Sequence, residues 1–248
     1  MRSTERAGEG RSIGEGESKA MRAIGGWRSD RYGEITPRGM SELGKSLELV
    51  ASDRFVDLGS GLGRACSQVV GEFDVRAATG IEFSSTRHAL AVEELGKLDP
   101  RRADRIRLVC ADCADRDLWA ATESGGEDGV LSDASVVYTC SALFGDGLMR
   151  RLGRRLSSSE HVRTVASLRR FPAGALAGYR RRPRPVRLEM SWTVGVSNPE
   201  AFGSEDDYGG ALVHIYDRLN ADEQISGNGA RGGWLQRIGR WRRRRMQA

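Results

Sequence analysis

The stretch Phe55-Val56-Asp57-Leu58-Gly59-Ser60-Gly61-Leu62-Gly63-Arg64 carries the strongest chemical signal in the chain. It reads as a short apolar strand, a G-x-G-x-G bend and the start of a helix. Glycines at such a bend let the backbone turn sharply and approach a ligand with no Cβ in the way. A dinucleotide site would carry G-x-G-x-x-G/A, but Arg64 stands where the last small residue is required. No Lys-Ser or Lys-Thr follows, which excludes a phosphate-cradling P-loop. Asp57, at the end of the strand, would repel a pyrophosphate and suits a cationic ammonium. Glu82 and Asp112, the latter followed by Cys113, close the next two strands. Three acids therefore end three successive strands, at the rim where open sheets of this kind bind ligands.

The elements that must position these residues alternate. Apolar spacing at Met40, Leu43, Leu47 and Val50 predicts a helix over 40–51, with Pro37 suited to a first helical position. Strands are expected over 54–58, 75–82, 106–110, 135–139 and 162–168, and helices over 65–73, 84–98 and 149–156. Strands alternating with helices argue for a parallel sheet covered on both faces. A closing pair over 188–194 and 212–216, with no helix between, predicts an antiparallel hairpin at one edge. Residues 1–26 show no periodicity and read as a disordered leader, 27–218 as one domain and 219–248 as an Arg-rich tail.

The chain has 248 residues, 39% of them hydrophobic and 29% charged, enough for one domain with a sizeable core. No apolar run approaches the roughly 20 residues of a membrane span. Four Cys do not make a disulfide scaffold, so a reducing compartment is expected. Cys110 and Cys113 have C-x-x-C spacing, but no second pair completes a structural zinc site, and no metal is expected. Charge is uneven: Arg150 to Arg187 holds 12 Arg against the single acid Glu160, and Arg231 to Ala248 holds 7 Arg and no acid. The formal total of +5 leaves the rest of the chain at −13 once these +11 and +7 segments are set aside. An acidic body with Arg-dense segments is the layout expected for a polyanion partner, although Arg-rich codon usage produces the same pattern.

The strand, glycine bend and acid resemble the first motif of class I S-adenosylmethionine-dependent methyltransferases, where acid and loop face the methionine end of the cofactor. On that resemblance Glu82 accepts both ribose hydroxyls, and Asp112 takes a hydrogen bond from the adenine amine. Further residues narrow it: Tyr32-Gly33-Glu34-Ile35 ahead of the first strand, then Ser191-Trp192-Thr193 and Leu212-Val213-His214-Ile215-Tyr216-Asp217 near the end. Together they resemble the disruptor-of-telomeric-silencing (DOT-type) histone lysine methyltransferases over roughly residues 30–218.

The resemblance implies a Rossmann-like α/β class I methyltransferase sheet and a monomeric nuclear enzyme. That enzyme uses S-adenosyl-L-methionine to methylate lysine seventy-nine of histone H-three in nucleosomes. It maps Tyr32, Gly33, Glu34 and Ile35, Phe55 to Arg64, Glu82, Asp112 and Cys113 to cofactor contacts. Tyr32 and Trp192 map to walls of the lysine channel. Cys140 and Ser141 stand where the family usually has an Asn pair near the transferring methyl; Ala211 or Leu212 falls where it has a channel aromatic, with Tyr208 as a substitute after an inserted loop. Methyl transfer needs a neutral lysine amine, whose ordinary pKa is about 10.4. A narrow apolar channel disfavours the ammonium by desolvation, so no dedicated base is required. Arg231 to Arg245, with Trp234 and Trp241 interleaved, could follow DNA phosphates. The same segment could also fold as an amphipathic helix for an anionic membrane or a partner groove. A lysine methyltransferase of a non-histone protein and an inactive cofactor-binding chromatin module share these residues.

Overall fold

The computed structural model describes residues 12–120, 129–194 and 210–220. A helix α1 (Glu15–Gly25) leads into α2 (Pro37–Ser46), which starts at Thr36: its hydroxyl accepts from the Gly39 amide at 3.1 Å, and Pro37 fills the first turn. Then come β1 (Arg54–Leu58), α3 (Arg64–Glu72), β2 (Ala77–Glu82), α4 (Ser85–Leu95), α5 (Pro100–Ala103), β3 (Ile106–Cys110), β4 (Val136–Thr139), α6 (Asp146–Ser158) and β5 (Thr164–Ser167). Three strands complete the described residues: β6 (Tyr179–Arg181), β7 (Val186–Leu188) and β8 (Ala211–Arg218).

The sheet runs β3-β2-β1-β4-β5-β8-β6, with β7 also paired to β8. The first five strands are parallel; β8 runs antiparallel to β5, and β6 and β7 pair with its two halves. This is the mostly parallel, Rossmann-like arrangement that the alternation implied. Successive strand residues point to opposite faces and so build two cores. Phe55 packs with Met40, Leu43 and Val69 on one side, while Val56 and Leu58 pack with Leu152, Leu156 and Val165 on the other.

Besides the short α5, which the sequence reading did not contain, four elements depart from it. The expected disordered leader is a helix over Glu15–Gly25, and only residues 1–11 of it lie outside the described residues. Its apolar side is short, Met21 and Ile24, and the rest of its support comes from tertiary bonds that periodicity cannot show. The helix expected over 40–51 stops at Ser46, where Glu48 takes a left-handed φ of 53°. Strand β6 was hidden in an Arg-rich run. The first strand of the closing pair ends at Leu188, because Glu189 to Ser191 turn away to bond the segment before α2. There the Glu189 carbonyl accepts from the Thr36 amide at 3.2 Å, and the Ser191 amide donates to the Glu34 carbonyl at 2.8 Å. Tyr208 and the tail over 221–248 lie outside the described residues.

Candidate cofactor and acceptor site

A cavity partly open to solvent lies at the carboxyl ends of β1, β2 and β4, where open α/β sheets bind their ligands. Asp57 is one of its two buried acids. It is 4% exposed, and its Oδ1 has no hydrogen-bond partner. Burial, reinforced by the nearby charges of Glu82 and Glu34, pushes its carboxyl up to about 8. A buried carboxyl oxygen without a partner is rare in folded proteins, and here its residue lines a cavity that can hold one.

Glu82 is buried too, but fully engaged on the protein side: Oε2 accepts from the Gly61 amide at 2.8 Å and Oε1 from the Ser84 amide at 2.9 Å. Each oxygen keeps a second lone pair, so the carboxylate is fixed in place and can still receive two hydroxyls. Gly61 makes this geometry possible. Its φ is +55°, and a Cβ there would stand 2.8 Å from the Tyr32 ring. Asp112 lines the far end, with Oδ1 on the Ala114 amide at 2.9 Å and Oδ2 on Arg151 Nη2 at 3.2 Å. Beside it the Cys113 thiol lines the wall, its pKa raised mainly by burial.

The segment 32–35 closes over the glycine bend. The Tyr32 hydroxyl donates to Glu34 Oε2 at 2.7 Å, and Glu34 Oε1 is ion-paired with Arg64 at the start of α3. Burial raises the Tyr32 pKa. Gly33 lies under Trp192: a Cβ on it would be 2.5 Å from the indole Cε3. Ile35 is bridged to Met190. The Cys140 thiol, at the end of β4, donates to the Gly33 carbonyl at 3.5 Å, and burial with the Asp57 charge pushes it up to about 12.

The structure brings Tyr32, Gly33, Glu34, Ile35, Asp57, Gly59, Ser60, Gly61, Arg64, Glu82, Asp112, Cys113 and Cys140 onto one cavity. It separates the others. Phe55, Val56 and Leu58 are core residues of β1, and Leu62 and Gly63 lie behind the bend, with Gly63 against Leu108. Ser141 is fully buried behind the wall, sharing a 2.7 Å hydrogen bond with Ser167 and accepting from the Arg169 amide at 3.2 Å, so it joins β4 to β5. Trp192 is 43% exposed and covers Gly33 from outside.

Sequence reasoning missed the wall formed by Met21, Ile24, Arg87 and Phe144 and the buried Tyr138 hydroxyl, which has no hydrogen-bond partner. One signal was available: Arg87 stands in the first turn of a helix, where a cation is normally disfavoured.

A β3-β2-β1-β4-β5 parallel sheet continued by an antiparallel strand, with acids at the ends of β1 and β2 around a glycine bend, defines a class I methyltransferase fold. The methyltransferase domain of bacterial CtHen1-C shares that fold, with a TM-score of 0.50 and 13% identity over 74% of this chain and 98% of that one. Within the class, this chain belongs to the family of the histone methylation protein DOT1, whose model matches residues 16–177. The match starts inside α1, which places that helix in the family's domain. A histone-lysine N-methyltransferase of Candida albicans, H3 lysine-79 specific, is 33% identical over 156 residues, which is 62% of this chain and 12% of the relative. One of the same description from Debaryomyces hansenii is 34% identical over 79 residues, 32% of this chain and 7% of that protein. The chain thus matches only a small part of the length of these curated relatives. No helix among the described residues is long and apolar enough to cross a membrane.

Proposed function

We propose that the chain is an S-adenosyl-L-methionine-dependent lysine methyltransferase acting on lysine seventy-nine of histone H-three within nucleosomes, in the nucleus. One observation carries the cofactor assignment. Asp57, a buried acid with one oxygen left without a hydrogen-bond partner, lines a glycine-bend cavity beside an acid whose two oxygens are held by main-chain amides. A cation is the partner Asp57 lacks, and a diol is what Glu82 is poised to receive. The acceptor assignment rests on the family match and on the descriptions of the two fungal relatives.

In this reading Asp57 holds the cofactor's ammonium, Glu82 its ribose, and Asp112 and Cys113 the base end. Gly59, Ser60 and Gly61 offer bare backbone along its length. When bound, the cofactor supplies a methyl group on a cationic sulfur. Tyr32, Gly33 and Cys140 border the side from which the acceptor amine approaches, and Trp192 forms its outer rim. These side chains exclude water and orient the amine; a desolvated channel favours its neutral form, so no residue is assigned as a base. Ser141 acts at one remove, by fixing the end of β4. A nucleosome offers DNA phosphates to the Arg-rich segments, and the enzyme works as a monomer.

Incubation with labelled cofactor and either nucleosomes or free histones, followed by mass spectrometry, tests this. The expected result is label on lysine seventy-nine of histone H-three in nucleosomes. Label on free histones alone, on a non-chromatin protein or nowhere would overturn the acceptor assignment.

A further inference from the structure

Arg87 has no role in the chemistry above, yet it lines the cavity and is only 3% exposed. It sits in the first turn of α4, its amide donating to the capping Ser84 hydroxyl at 3.1 Å. Burying a guanidinium there runs against the helix dipole and is costly unless its donors are used. They are used on the segment that covers the cavity. Nη2 donates to the Asp30 carbonyl at 2.5 Å, Nη1 approaches the Met21 sulfur at 3.9 Å, and the guanidinium carbon lies 5.2 Å from the centroid of the Tyr32 ring.

One buried cation thus touches α1, the turn that follows it and the aromatic of the closing loop. The same helix start grips α1 a second time: Glu17 accepts from the Thr86 amide at 3.1 Å and from its hydroxyl at 2.7 Å. Just upstream, the Ser84 amide donates to Glu82. The ribose acid and both anchors of the covering segment therefore occupy the continuous stretch 82–87, apart from Glu17 itself.

We infer that Arg87 is a positioning residue that holds residues 15–34 as a lid over the cofactor, coupling occupancy at Glu82 to lid closure through the 82–87 segment. This rests on the methyltransferase reading for the identity of the ligand. Arg87 touches no reacting atom; it fixes Tyr32 and the wall made by Met21, and cofactor exchange requires it to release them. Lysine is expected to substitute poorly, because its compact ammonium lacks the planar fork that lets one guanidinium reach a carbonyl, a thioether and a ring face in different directions.

The test uses the full chain with Arg87→Lys, Arg87→Gln and, at the exposed anchor, Glu17→Ala. Two readouts are taken: the dissociation rate of S-adenosyl-L-methionine by stopped flow, and trypsin cleavage after Arg28 and Arg31 in the lid, located by mass spectrometry. Both Arg87 variants are expected to release cofactor at least tenfold faster and to be cut faster at these two sites, and their cofactor KM rises by more than kcat falls. Glu17→Ala moves both readouts in the same direction, two- to threefold. Dissociation and cleavage in Arg87→Lys within twofold of wild type would overturn the inference. If Arg87→Gln does not fold, Arg87→Lys and Glu17→Ala decide. If the wild-type chain binds no cofactor, the methyltransferase reading fails, while the cleavage comparison still decides whether Arg87 holds the lid.

Discussion

At the inner wall of the cavity, Glu82 receives two main-chain amides, Gly61 and Ser84. At the mouth, Gly33 is covered by Trp192 and the Glu34 amide donates to Ser191 Oγ at 3.1 Å, across 157 positions of chain. The first region is assembled from strand ends that fold as soon as the sheet does. The second exists only when distant segments meet. Cofactor recognition is therefore expected to survive perturbations that alter or abolish acceptor handling.

The sharpest way to break this comparison is at Asp57. Asp57→Asn keeps the shape and removes the charge that faces the ammonium, and cofactor affinity is expected to fall by about a hundredfold, the scale of a lost buried charge pair. Linkage adds a pH signature. The folded-state pKa of Asp57 is raised to about 8 from an ordinary 3.8. The ligand-free fold holds this proton more tightly than the unfolded chain does, so its stability falls as pH rises between those values and levels off above them. With Asp57 as the proposed partner of the cofactor's ammonium, binding needs the ionised acid, so affinity is expected to rise as pH climbs toward 8. It is expected to fall again above the ordinary α-amino pKa of about 7.7–8.0, where the ligand's ammonium is deprotonated while its sulfonium stays cationic. Calorimetry from pH 6 to 9 reads this profile, and Asp57→Asn should lose the rising limb.

Gly61→Ala probes the contact between the two regions. A Cβ at this left-handed position strikes the Tyr32 ring, so a loss of about 1–3 kcal/mol in stability is expected, with a several-fold weaker cofactor. A thermal melt and a titration check both.

At the mouth the structure separates two neighbours that the sequence treated alike. Cys140→Asn places an amide on the cavity wall and should raise methyl transfer several-fold with little change in cofactor affinity. Ser141→Asn forces extra atoms into a fully buried site shared with Ser167, and a cost of about 1–3 kcal/mol in stability is expected without any gain in rate. Denaturant midpoints and single-turnover rates distinguish these outcomes. The smallest effect is expected from Trp192→Ala. Its ring is partly exposed and outside the cavity, so acceptor KM should rise by a few-fold while cofactor binding stays within twofold.

The same contrast explains what was legible in the sequence. The strands β1 and β3 have the bounds their apolar runs implied, and Asp57 and Glu82 could be placed because acids at strand ends inherit their position from the sheet. The segment 32–35 was legible only through its resemblance to a family, because nothing local says what it covers. Helix α1 was missed because its apolar side is two residues long and its anchors, Thr86 and Arg87, lie more than sixty positions away. The contiguous block Phe55 to Arg64 looked like a single binding unit, but β1 is buried on both faces, so Phe55, Val56 and Leu58 pack into the two cores, and Leu62 and Gly63 lie behind the bend. Ser141 looked like Cys140's partner at the site, yet adjacent residues leaving a strand face opposite ways.

The most direct measurement is a calorimetric titration of S-adenosyl-L-methionine into the full chain near pH 8, paired with thermal melting. Saturable one-to-one binding with a rise in melting temperature, both lost in Asp57→Asn, is the result the account predicts. Absence of heat and of any thermal shift in the wild-type chain would contradict it.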